Sequence, residues 1–158
     1  MFKSMTAEEY ILQRVNQFQE WYDKKAVGAK SSYLAIRVTA VIGSVLVPVA
    51  ANVIPQFPDW SRGLTTGLSL VVSLAVALDS VYHYGDQWKN YRSTEQFLSR
   101  EKFLFQTGEG PYKDMEPEKA FVLLVERCEA QIAAENSATL NVIAAVAQQA
   151  DPKPTKTL

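Results

Sequence analysis

His83 is the chain's one histidine and Cys128 its one cysteine. A single imidazole excludes the usual multi-histidine metal centres. A lone thiol excludes an intrachain disulfide and fits a reducing compartment. Asp79 and His83 lie four apart, so on a helix they share a face. They suit a proton-linked pair or a weak ion site. The simpler reading is that they mark the cytoplasmic end of an apolar stretch. Arg37 stands at the matching level of an earlier apolar stretch, so an Arg37–Asp79 pair is expected, within one chain or between subunits. An ionisable group this close to an apolar run is a functional suspect. No nucleophile–base set and no metal-ligand set emerges. The expectation is a protein that is not an enzyme and needs no metal or cofactor.

A second set is made of hydroxyls. Thr66, Ser69, Ser73 and Ser80 follow one another in steps of three, four and seven, with Ala77 small between them. Those steps put them on one side of a helix. Two uses fit. Small and hydroxylated residues let helices approach closely and bond across. The same hydroxyls line a watery path if several copies surround an axis.

The element that carries them is apolar. Gly63 to Leu78 holds 16 residues without a charge, and Val38 to Pro55 holds 18. Eighteen helical residues reach about 27 Å, close to a hydrocarbon core of about 30 Å. In the earlier stretch Thr39, Ser44 and Asn52 make no continuous wet face. A pair of transmembrane helices is therefore favoured over buried helices of a soluble bundle. Pro48 should kink the first span or free a carbonyl, and Ala40, Ser44 and Ala51 give it small contact positions. Pro55 and Pro58 stop that span, and Trp60 suits a headgroup boundary. More than 30 residues precede the first apolar run, which argues against a cleaved signal peptide.

Lys24, Lys25, Lys30 and Arg37 precede the first span, and Lys89, Arg92, Arg100 and Lys102 follow the second. The connection between spans holds only Arg62. The positive-inside bias puts both termini in the cytoplasm, with Tyr33, Tyr82, Tyr84 and Trp88 as an aromatic belt on that side. The 158 residues carry 16 basic and 17 acidic side chains. With a pI near 5.9, no cationic field invites nucleic acid. An apolar share of 47% excludes a disordered chain.

The flanks read as helices. Thr6 with Glu9 is a capping box, and Ile11, Val15, Phe18 and Tyr22 form a packing stripe. Tyr91, Leu98 and Phe105 repeat at seven, with Phe97 and Leu104 beside them. Gly108-Glu109-Gly110-Pro111 ends that helix, with Gly108 at a left-handed cap. No strand precedes this glycine pair, so it is no phosphate loop. Beyond Pro117, Phe121, Leu124, Val125, Cys128 and Ile132 form one face, extended by Leu140, Ile143 and Val146. Cys128 on that face is a packing residue. The tail from Asp151 should be flexible.

The expected fold is all-α: a transmembrane helical hairpin over a cytoplasmic helical bundle, in a homo-oligomer. One domain over residues 1–150 is expected. It comprises a cytoplasmic helix at 6–30, spans at 33–55 and 63–84, cytoplasmic helices at 86–107 and 117–148, and a tail at 151–158.

This ordered set resembles bacterial SLATT-type membrane proteins, including their stand-alone branch of unknown function. The resemblance covers roughly residues 8 to 136. It rests on Trp21-Tyr22-Asp23-Lys24-Lys25-Ala26, Trp88-Lys89-Asn90-Tyr91-Arg92, Arg100-Glu101-Lys102-Phe103-Leu104-Phe105, Gly108-Glu109-Gly110-Pro111-Tyr112 and Val125-Glu126-Arg127. The resemblance implies a two-span protein of the bacterial inner membrane with cytoplasmic helical flanks. It further implies a pore-forming effector in defence or stress, and supplies no catalytic residues. The expected function is thus an oligomeric pore or channel with Thr66, Ser69 and Ser73 facing the axis. The alternative is a non-conducting scaffold that uses the same stripe for packing and its cytoplasmic bundle to dock a protein partner. Membrane lipid and further copies of the chain are the expected partners.

Overall fold

The computed structural model describes residues 5–53 and 60–150, and the side chains of 5–52 and 63–141. The prolines of the 54–59 connection, the tail from 151, and the side chains of Trp60, Arg62, Ile143 and Val146 lie outside those limits. Every regular element among the described residues is helical, with no strand. Helix α1 is Ala7–Tyr10, followed by one π turn, Ile11–Val15. Then come α2 (Asn16–Val53), α3 (Trp60–Tyr82), α4 (Tyr84–Thr107), a 3₁₀ turn (Gly110–Tyr112) and α5 (Pro117–Ala150).

The ends of these helices follow from local chemistry. Thr6 accepts from the Glu9 backbone N–H, and the Glu9 carboxylate accepts from the Thr6 N–H, so the capping box forms. At the end of α4, Glu109 donates its N–H to Leu104 and Gly108 donates its N–H to Phe105. That is a Schellman closure, and it needs the left-handed φ of 67° that Gly108 supplies.

Several boundaries differ from expectation: α3 begins at Trp60 rather than 63, α4 at Tyr84 rather than 86, and α5 runs to Ala150 rather than 148. The helices expected at 6–30 and 33–55 are continuous, because Ser31 and Ser32 stay helical. Gly28 and the serine pair lower helix propensity, each by roughly 0.5–1 kcal/mol, but none removes a backbone donor. Pro48 does remove one, and α2 still runs through it. The carbonyl that loses its helical donor is that of Ser44, four residues back, while the Asn52 side-chain amide adds a hydrogen bond to the Pro48 carbonyl at 2.7 Å. The expected 63–84 span instead ends at Tyr82, where His83 takes a φ of 50° and separates α3 from α4.

The chain forms two compact units. One comprises the residues up to Ala26 and those from Lys89 onward. Its core joins Tyr10, Ile11, Val15 and Tyr22 to Leu98, Tyr112, Leu124, Cys128 and Ile132. The π turn adds a residue to the helical register there, so that both Tyr10 and Ile11 are buried. On α5 the packing face stops short of its expected extension, because Leu140 is 65% exposed. Glu135 and Ala138 continue the inward register instead.

The other unit is Val27–Trp88. Its α2 residues Ala29, Tyr33, Ile36, Ala40, Gly43, Val47 and Ala50 are buried or half-buried. They alternate in steps of four and three, the spacing of a helix–helix seam. On α3 the matching positions are Thr65, Leu68, Val72, Ala75 and Asp79. Gly43 meets Val72, and Arg37 meets Asp79, so the helices touch in antiparallel order. Both are long and apolar enough to cross a membrane, and only 11% and 6% of their most apolar windows are buried.

Candidate functional site at the charged end of the apolar pair

The seam of the 27–88 unit changes character at one end. Beyond Gly43 and Ala40, the small residues give way to Arg37, Tyr33 and Lys30 on α2, and to Asp79 and His83 at the end of α3. Arg37 Nη2 lies 3.5 Å from Asp79 Oδ2, with the arginine side chain 59% exposed and the aspartate 22%. The expected pair therefore forms within one chain. Its length leaves it an ion pair rather than a tight bidentate clamp.

His83 does not join them in an acid–base pair. Its left-handed backbone ends the helix, so its ring turns to the Val81 carbonyl, with Nδ1 at 3.3 Å. Its carbonyl accepts from the Asp86 and Gln87 N–H groups and so starts the next helix. Left-handed backbone in a residue with a Cβ costs roughly 1–2 kcal/mol. His83 is thus a junction residue. The i,i+4 spacing assumed a helix that had not yet ended.

Aromatic rings fill the level between the charges. Tyr33 stacks on Trp88, with centroids 6.3 Å apart at 25°. Gly85 admits the Tyr33 ring, since a Cβ there would stand 3.0 Å from it. Lys30 Nζ lies 5.7 Å from the Trp88 ring centre, and Arg37 Cζ lies 5.4 Å from that of Tyr33. Cation, ring, ring, cation form one ladder. Tyr82 and Tyr84 stack separately, at 5.3 Å. That aromatic residues gather at this end of the apolar pair was legible. The ladder was not, although Lys30, Tyr33 and Arg37 at i, i+3 and i+7 share one helical face.

The hydroxyl stripe does not belong to the α2–α3 seam. Thr66, Ser73 and Ser80 are exposed and lie seven apart on the outer side of α3. Ser69 is half-buried and bonds its own helix, donating to the Thr65 carbonyl at 2.8 Å. Packing within one chain therefore leaves this stripe facing outward.

The other unit holds carboxylates of a different kind. Glu101 is 1% exposed and accepts from Arg127 Nε at 2.7 Å and Nη2 at 2.8 Å, and from the Tyr112 hydroxyl at 2.6 Å. Glu129 takes Arg14 and the Tyr10 hydroxyl in the same way. Glu135 receives the Tyr22 and Thr139 hydroxyls. The Arg127 and Arg14 hydrogen bonds hold the Glu101 and Glu129 carboxyls below the usual range. Burial is the first cause that raises the Tyr10, Tyr22 and Tyr112 hydroxyls; the facing carboxylate comes next for Tyr22 and Tyr112, and for Tyr10 Cys128 precedes Glu129. Each of these carboxylates accepts at least two side-chain hydrogen bonds. Among the described residues no cluster of three metal-binding side chains forms.

No curated protein and no solved structure matches the chain. A family profile, that of DUF4231, matches residues 17–120. The matched stretch takes in the α2 seam, the ladder, the hydroxyl stripe and the Glu101–Tyr112 pair. The chain belongs to DUF4231, a family of proteins of unknown function.

Proposed function

We propose that the chain is a two-span, SLATT-type protein of the bacterial inner membrane. Helices α2 and α3 cross the bilayer as a hairpin, and both termini lie in the cytoplasm. One observation carries this reading. The apolar pair covers almost none of its own large side chains: Leu34, Val38, Val41, Ile42, Val45, Leu46 and Val49 on α2 are exposed, as are Leu70, Val71, Leu74, Val76 and Val81 on α3. A soluble monomer leaving so continuous an apolar surface in water would aggregate. Lipid tails cover it at no such cost.

The hairpin assembles into a homo-oligomer, and the assembly conducts ions. The outward stripe supports this part of the reading. Thr66, Ser73 and Ser80 face neither α2 nor a buried core, and hydroxyls directed at lipid gain nothing. Copies arranged with these faces inward give a hydroxyl-lined path. The Glu–Arg–Tyr clamps of the other unit act as structure and carry no covalent chemistry. The reading includes a role as a defence or stress effector.

Ion flux through liposomes holding the purified chain tests it. Flux is expected, and Ser73→Leu is expected to abolish it while assembly remains. A correctly assembled protein that stays silent across voltage, pH and ion composition contradicts conduction and favours a scaffold that docks a cytoplasmic partner.

A further inference from the structure

The cation–ring ladder has a shape that the span reading does not use. Lys30 and Arg37 stand seven residues apart on α2, about two turns or roughly 10 Å. The Tyr33–Trp88 stack lies between them. Lys30 forms no ion pair with a carboxylate among the described residues, and its ammonium lies 5.7 Å from the Trp88 ring centre. Arg37 meets Asp79 through one nitrogen at 3.5 Å, and a guanidinium has five N–H donors. Asp79 balances one of the two cations, so the ladder keeps a positive excess and spare donors.

The same side of α2 continues as an apolar strip. Lys30, Leu34, Val38, Val41, Val45 and Val49 follow in steps of four, four, three, four and four, and all are exposed. From Val38 to Val49 the strip runs about 17 Å at 1.5 Å per residue, close to the roughly 15 Å of one leaflet's hydrocarbon. A charged head beside a one-leaflet apolar strip is complementary to a phospholipid. A soluble anion would use the head alone.

We infer that Lys30 and Arg37, braced by the Tyr33–Trp88 stack, bind the headgroup of an anionic glycerophospholipid whose acyl chain lies along Leu34, Val38, Val41 and Val45. The phosphate accepts from the guanidinium face that Asp79 leaves open, and from the Lys30 ammonium. The rings keep both cations at headgroup depth. A zwitterionic lipid brings its own cation to the same place and is disfavoured. This inference rests on the bilayer placement proposed above.

The test uses the full chain, purified in detergent and titrated with phosphatidylglycerol or phosphatidylcholine of equal chain length. Native mass spectrometry reads the retained lipid. Wild type is expected to hold phosphatidylglycerol about tenfold better, as two juxtamembrane cations allow. K30Q/R37Q is expected to lose that preference, and K119Q, on α5, to keep it. Single K30Q and R37Q variants, each losing part of the preference, keep the test open if the double variant fails to insert. Equal retention of the two lipids by wild type overturns the site, as does an undiminished preference in K30Q/R37Q. Displacement by inorganic phosphate overturns it too, in favour of a soluble anion. Carbonate extraction separates the two claims. A wild-type chain released from vesicles by carbonate contradicts the bilayer placement, whereas a chain that stays inserted without lipid preference contradicts only this site.

Discussion

Gly43 of α2 holds its backbone directly against Val72 of α3: a methyl group at Gly43 would occupy the space of Val72 Cγ2. The packed sides of both helices carry small residues, Ala40, Gly43 and Ala50 on α2 and Ala75 on α3, which lets the backbones approach this closely. Such close approach gains packing and helps hold helices together where lipid supplies no hydrophobic drive.

Gly43→Val should therefore weaken the α2–α3 pair by about 1–3 kcal/mol, the usual cost of overpacking. Val72→Ala should restore much of it by vacating the space. Thermal unfolding in detergent of the two single variants and the double variant measures both effects. Additive losses would contradict the contact.

Arg127→Met should cost more than an exposed ion pair does. It strands the buried Glu101 carboxylate with only the Tyr112 hydroxyl, and breaking a buried pair on one side costs about 3–5 kcal/mol. Glu101→Met combined with Arg127→Met should recover most of that loss. Denaturant unfolding followed by circular dichroism checks the cycle.

Acid should loosen the same unit. Glu101 and Glu129 titrate below the usual carboxylate range because Arg127 and Arg14 donate to them. In the unfolded chain they titrate near 4.3. A depressed folded value means stability that is fully present above the unfolded value and is lost as pH falls through the folded one. Melting temperature should hold from pH 7 to about 5 and fall below about 4. E101Q/E129Q should be less stable at pH 7 and show a shallower acid fall. Glu129 is partly exposed, so the larger share belongs to Glu101.

Cys128 should be inert while the chain is folded. It is fully buried, and burial, followed by the nearby Glu101 charge, pushes its thiol up to about 12. Labelling by a thiol reagent should be slow in buffer and fast in denaturant. Rapid labelling of the native chain would contradict the α5 packing.

The helices were legible because their signals are local. Thr6 and Glu9 sit three apart, and Gly108 marks its own cap. The buried Tyr–Glu pairs were not, because Tyr10 and Tyr22 find their carboxylates 119 and 113 residues away. The packing side of α3 was not legible either. Leu68, Val72 and Ala75 are no more apolar than the other sides of that helix, and only Gly43 opposite selects them. The expected bounds of 6–30 and 33–55 left out Ser31 and Ser32, whose hydroxyls lower helix propensity only slightly. The helix keeps its backbone bonds through them.

The central claim is that α2 and α3 go across the bilayer and return. Cysteine-accessibility mapping in intact bacterial cells tests it most directly, with single cysteines placed in a C128A background at Gln13, Gln56 and Lys153. An impermeant thiol reagent applied from outside should label position 56 alone, and positions 13 and 153 only after the cells are opened. Labelling of all three positions from one side, or recovery of the chain in the soluble fraction without detergent, would contradict the account.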